Sequence, residues 1–304
     1  MADGEGPLGP ANARELPPRE LESHFVTCGE VTPPTEFKGD LTNVKVIVGR
    51  KGSGKTHILR LLADRSKSSR ESTYCTLDSN FLLDAADRFR EGKPFEQVVD
   101  LWVEIWRVAI AASVLSRFTA RSASVQAIGA LDEAAVKADE LRERYRPLVF
   151  SEAEVLDPLQ ALGRLLDRYP HERAFSALRR EARLGDLESE LARILHQYKP
   201  MHFFIDGLDE FAGRDPRSWL EVQAGLYKLV FLRDFGRGQS KLVYLTISLR
   251  KYVYSEAKRL DGHGDREGGV YQLQWDARAA QRFLDSRLWS ARKKLAGKKE
   301  LKHG

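Results

Sequence analysis

Eight residues leave this chain few folds to choose from: Gly49-Arg50-Lys51-Gly52-Ser53-Gly54-Lys55-Thr56. They match G-x-x-x-x-G-K-[ST] at every fixed position. The flanks strengthen the match. Val44-Lys45-Val46-Ile47-Val48 precedes the run and reads as a buried parallel strand. Ile58, Leu59, Leu61 and Leu62 follow it and form one apolar helix face. Glycines let successive backbone N–H groups curl around a phosphate without Cβ clashes. The helix opening near Lys55 aims its positive end at the anion. Lys55 is expected to reach the β- and γ-phosphates, and Thr56 to bind Mg²⁺. All eight residues are therefore candidate contacts for a nucleotide, with ATP and Mg²⁺ the expected cofactors.

A second motif supplies the acid. His202-Phe203-Phe204-Ile205 reads as a strand and runs into Asp206-Gly207-Leu208-Asp209-Glu210. This is an extended Walker B pattern. Asp206 stands at the carboxyl end of its strand, where open α/β sheets bind ligands, and is the candidate for the Mg²⁺ water shell. Asp209 and Glu210 are both candidates to orient or deprotonate an attacking water. Glu210 resembles the usual base, and Asp209 stays open beside it. A third motif is the strand at 242–247 followed by Ser248-Leu249-Arg250. In additional-strand ATPases the strand beside Walker B ends in a polar or basic group near the γ-phosphate, which makes Arg250 a candidate catalytic cation. Arg214 and Arg217 follow the acidic motif and read as surface arginines, with a role toward a neighbouring subunit as the alternative.

Between these motifs the pattern turns helical. Residues 73–77 are a further strand, and residues 81–198 are helical almost throughout. Within 95–118, Val98, Val99, Trp102, Ile105, Trp106, Ala109 and Ala112 recur at helical spacing. Residues 131–145 are highly charged and read as an exposed helix. Residues 159–169 and 174–198 read as two amphipathic helices, with His171 between them. A helix from Pro216 to about 235 and a last apolar strand and helix over 271–289 complete the order. Strands alternating with helices predict an α/β fold, a P-loop NTPase with a mainly parallel sheet flanked by helices and a large helical insertion at about 81–198. Residues 1–36 are expected to be a flexible tail, 37–290 the ATPase domain and 291–304 a basic tail.

Composition removes other classes. The 42% hydrophobic share supports a packed core. The longest run without Asp, Glu, Lys or Arg is residues 122–131, well short of the roughly 20 apolar residues that span a bilayer, so no membrane segment is expected. The first residues lack a basic and then apolar signal, and a cytoplasmic location is expected. Cys28 and Cys75 are too few for a disulfide framework or a four-ligand zinc site, and read as small buried hydrophobes. A net charge of +5 permits nucleic-acid contact without demanding it. No N-K-x-D or T-K-x-D guanine reader and no LSGGQ-like signature occurs, which disfavours GTPases and ABC-type ATPases.

GRKGSGKT, HFFIDGLDE and LTISLR, in this order over about residues 40–290, resemble the STAND and AAA-like P-loop ATPases, in particular NACHT-type and related bacterial members. The resemblance implies ATP binding, slow hydrolysis and nucleotide-controlled self-assembly, and for many bacterial members anti-phage defence. The chain departs from the STAND pattern in having no room for a sensor repeat array, so either it is a fragment of a longer protein or sensor and effector functions sit on a separate protein. Three readings compete: an ATPase switch or assembly module, a nucleic-acid-dependent ATPase and a small-molecule kinase. The apolar faces bearing Trp102 and Trp106 suggest a homo-oligomer, with packing inside one chain as the rival.

Overall fold

The computed structural model describes residues 44–76, 81–127, 133–150, 154–196, 199–208, 216–232, 242–261 and 269–274, together with Gln281 and Asp285. Cys28, the expected tails and the helix expected after 274 fall outside the described residues, apart from those last two positions. Among the described residues five strands form one sheet: β1 Val46–Gly49, β2 Glu71–Thr76, β3 Met201–Asp206, β4 Val243–Arg250 and β5 Val270–Leu273. Every pairing is parallel and the order is β2-β3-β4-β1-β5. The additional strand β4 thus stands between the strand of the phosphate loop and the strand of the acid. All five strands fall where hydrophobic runs predict them. The fold is the expected α/β arrangement of a P-loop NTPase.

Helix α1, Lys55–Ser66, follows β1. Between β2 and β3 the described chain is helical, as expected for the insertion: α2 Phe81–Arg90, α3 Phe95–Ala127, α4 Glu133–Arg144, α5 Pro158–Arg168, α6 Glu172–Ala182 and α7 Leu184–Leu195. Helix α8, Pro216–Leu232, follows β3, and α9, Lys251–Asp261, follows β4 directly. Local chemistry sets several starts. Asp157 accepts from the Leu159 and Gln160 N–H groups at 2.8 and 2.9 Å, while the Gln160 side chain accepts from the Asp157 N–H, a reciprocal capping box with Pro158 at the first helical position. His171 caps α6 by accepting from Ala174 N–H at 3.2 Å.

Strand alternation divides the core in two. Val46, Val48, Cys75, Phe203, Ile205, Ile247 and Leu249 face the larger cluster, built with α3, α5, α8 and α9. Ile47 and Phe204 face the smaller one with Ile58, Leu59 and Leu62 of α1. In the larger cluster α3 crosses α8 so closely that a Cβ on Gly225 would lie 2.5 Å from Trp102 Cβ. The Trp106 indole donates to the Val222 carbonyl at 3.0 Å. Both tryptophans are fully buried, so the faces expected to attract a second copy are filled by the chain's own α8. Cys75 is buried as expected, and burial pushes its thiol pKa up.

Three local expectations need correction. The single helix expected over 174–198 is two, broken at Arg183 with φ 40°. The apolar stripe explains the break: Phe175, Leu178 and Ala182 share one face, whereas Leu184, Leu187, Leu191 and Ile194 lie about half a turn away. One straight helix could not bury both sets. The helix at 131–145 is not simply exposed, because Ala138 and Leu141 are buried, as is Tyr145 just beyond its end. Strand β4 does not stop at Ile247 but runs to Arg250, which pairs with Gly49.

Candidate nucleotide site

The phosphate loop leaves β1 at Gly49 and enters α1 at Lys55. A Cβ on Gly49 would lie 2.2 Å from Ser53 Oγ and 3.2 Å from the Cβ atoms of Ser53 and Leu273, so a larger residue at the loop's start would force the buried Ser53 side chain to move. The Ser53 N–H donates to the Arg50 carbonyl at 3.2 Å, which forms the turn. Gly54 caps α1 with φ 91°, a backbone that favours glycine. Arg50, Lys51 and Gly52 are exposed on the outer arc, while Ser53 is buried below it. Lys55 is only 7% exposed. Its Nζ donates to the carbonyls of Gly49 and Arg50 at 3.3 and 3.2 Å, which draws the ammonium across the mouth of its own loop.

Asp206 ends β3 with only 2% exposure. Its carboxylate collects three hydroxyls from three different elements. Thr56 Oγ1, in the first turn of α1, donates to Oδ2 at 2.6 Å. Tyr74 Oη, from β2, donates to the same oxygen at 2.8 Å. Ser248 Oγ, from β4, donates to Oδ1. Hydrogen bonds of this kind, to a charged acceptor, repay the desolvation that burial of a carboxylate costs. The phosphate loop and the Walker B strand therefore meet through the Thr56 hydroxyl.

Arg250 is the last residue of β4, in register with Gly49 and on the strand face that carries Ser248. Asp209, Glu210 and Arg214 lie outside the described residues. Arg217, considered for a neighbour, donates to Glu221 Oε1 at 3.3 Å one helical turn along α8. Glu221 is fully buried and also accepts from Arg90 Nε at 2.9 Å, which ties α8 to α2.

Tyr74 and Ser248 were not among the expected site residues. A signal for Ser248 was present: Tyr244, Thr246, Ser248 and Arg250 put polar groups on one face of a strand whose other face is Val243, Leu245, Ile247 and Leu249. Tyr74 had no such signal, since it touches Asp206 only because β2 and β3 pair.

The donor set suits Mg²⁺, whose preferred ligands are hard oxygens: a hydroxyl and a carboxylate stand in contact beside a glycine loop built for phosphate. Among the described residues no group of three or more His, Cys, Asp or Glu could hold a metal ion by itself. A cation here would depend on Thr56, Asp206 and the phosphates. Among the described residues, too, no helix is long and apolar enough to cross a membrane.

Comparison with known proteins gives one family. The ORC-CDC6-like family model matches residues 6–74, from the N-terminal segment through the phosphate loop to Tyr74. No curated protein and no solved structure matches the chain. Taken with the parallel sheet and the loop, the match indicates a relative of the AAA+ type of P-loop ATPase, a type that binds nucleotide.

Proposed function

We propose that the chain is a Mg²⁺-dependent ATPase that binds and hydrolyses ATP at this site and acts as a nucleotide-controlled switch. The observation that carries the reading is the 2.6 Å contact between Thr56 and Asp206, which joins two motifs 150 residues apart in sequence. In this reading the loop N–H groups and Lys55 bind the phosphates, and Thr56 with Asp206 holds the cation. Mg²⁺, when bound, neutralises phosphate charge as it develops. Glu210, or Asp209 in its place, accepts the proton of the attacking water, and Arg250 stands toward the γ-phosphate. The position of β4 between β1 and β3 supports the additional-strand class. The ORC-CDC6-like match supports its AAA+ branch, and the order of the three motifs supports the finer STAND reading. ATP-promoted assembly and a separate sensor or effector protein belong to the same reading; their support is the STAND resemblance, since Trp102 and Trp106 are buried within the chain.

Phosphate release by the purified chain, with Mg²⁺ or EDTA and with or without DNA or RNA, tests the proposal. No Mg²⁺-dependent release in any arm ends it. Release only with nucleic acid moves the function to a nucleic-acid-dependent ATPase, which the +5 charge permits. The base is assigned by two variants. Glu210→Gln should bind ATP normally and lose about 10² to 10⁴ in turnover. An intact rate there, with that loss in Asp209→Asn, moves the role to Asp209.

A further inference from the structure

The hydrogen bonds on Asp206 limit how it can meet a cation. A carboxylate offers about four lone-pair positions, two on each oxygen. Thr56 and Tyr74 both donate to Oδ2, and Ser248 donates to Oδ1. By this count one acceptor position remains, on Oδ1. Thr56 belongs to the phosphate loop and Ser248 to the strand beside β3, whereas Tyr74 reaches in from β2, on the far side of β3. Its ring and its strand are held from opposite faces of β2. The Arg60 guanidinium of α1 lies 6.0 Å from the ring centroid. On the opposite face of β2, Arg117 of α3 donates to Glu71 Oε1 at 2.8 Å and to Thr73 Oγ1 at 2.7 Å, which pins the strand on either side of Ser72 and next to Tyr74. Arg117 also stands over the Phe203 ring of β3 at 5.3 Å, so β2 and β3 are clamped together from the insertion side.

We infer that Tyr74 is a positioning residue for the cation: by occupying Oδ2 together with Thr56, it leaves Asp206 a single acceptor position on Oδ1 and so favours the water-mediated hold already expected of Asp206 over direct ligation. The inference rests on the nucleotide reading of this site. Two consequences follow from the chemistry. The hydroxyl draws charge from the carboxylate, which weakens its pull on a cation. It also blocks rotation of the carboxylate, which keeps the cation at a fixed depth relative to the loop. Tyr74 thereby tunes the cation without touching it, and the insertion helix α3 gains a hydrogen-bonded path to the site through Arg117 and β2.

Tyr74→Phe keeps the ring and removes the hydroxyl. With Mn²⁺ as the probe and a non-hydrolysable ATP analogue bound to the full chain, we expect Mn²⁺ affinity to tighten several-fold. The broadening of the Mn²⁺ resonance in ¹⁷O-water should fall by the equivalent of one water, as Asp206 ligates directly. In hydrolysis, kcat should drop with little change in the KM for ATP. A folded variant whose Mn²⁺ affinity and water count match wild type overturns the inference, because a residue that only packs would leave both unmoved. Weaker Mn²⁺ binding overturns it equally. If Tyr74→Phe does not fold, Ser248→Ala frees a position on the other oxygen, and the same Mn²⁺ criteria apply. Wild-type chain that shows no nucleotide-dependent Mn²⁺ binding refutes the nucleotide reading itself, an outcome separate from the behaviour of either variant.

Discussion

On one face of the sheet, Val46, Val48, Phe203, Ile205, Ile247 and Leu249 pack against four helices. On the other, His202, Asp206, Thr246 and Ser248 are buried and Tyr74 is half-buried, with α1 as the covering helix. The same strands build both faces, so the difference comes from parity alone. The first face gains stability from apolar area removed from water. The second buries polar groups, which is tolerable only when each finds a partner. His202 shows how closely this is arranged. The Thr246 hydroxyl donates to the Val44 carbonyl at 2.7 Å, so its oxygen accepts from His202 Nε2 at 2.8 Å. That leaves Nδ1 as the acceptor for Arg70 at 3.4 Å, and the ring is neutral. One face is apolar throughout its buried core, and the other interleaves the smaller apolar cluster of Ile47, Phe204 and α1 with a polar scaffold that holds Asp206 in place.

Three substitutions can break this division. The largest effect is expected on the polar side. Lys55→Ala should reduce ATP hydrolysis to background while the chain keeps wild-type helicity by circular dichroism, because the residue stands at the head of α1 and not in the larger cluster. Hydrolysis at the wild-type rate would remove the loop from the mechanism. Next comes the apolar side. Trp106→Ala should cost about 3–5 kcal/mol in denaturant unfolding, through a cavity between α3 and α8. The folded fraction should bind an ATP analogue with unchanged affinity; a matching loss of affinity would show that the two faces are not separable. The smallest effect returns to the polar side. Thr246→Val removes the partner of His202 and should cost roughly 1–3 kcal/mol, the price of an orphaned buried donor. A neutral result would mean that the scaffold tolerates an unpaired imidazole and that its order is set elsewhere.

Much of this was legible in the chain because it is locally encoded. The glycine loop, its strand and its helix are contiguous, so the motif and its setting confirm each other within about twenty residues. Asp206 was legible because an apolar strand ends in acids. What remained hidden depends on register. Tyr74 and Asp206 are 132 residues apart, and only the β2–β3 pairing brings them together. Ser248 displayed its polar parity, but its partner followed from β4 lying beside β3. The break at Arg183 was a change of phase in an apolar stripe that otherwise kept helical spacing. The burial of Lys55 was hidden too, because its contacts are with its own loop carbonyls, which no residue pattern displays.

The placement of β1 also bears on how the molecule comes into being. Its two neighbours are β4 and β5, with Val46 opposite Ile247 and Val270, while β2 lies at the far edge of the sheet. A ribosome that has just released β1 must add about 200 residues more before either neighbour exists, which takes on the order of 10 s or longer. During that interval the helical insertion can close its local contacts, whereas the first strand waits with both edges unpaired. The phosphate loop, early in sequence, is among the last parts of the nascent chain to acquire its final shape.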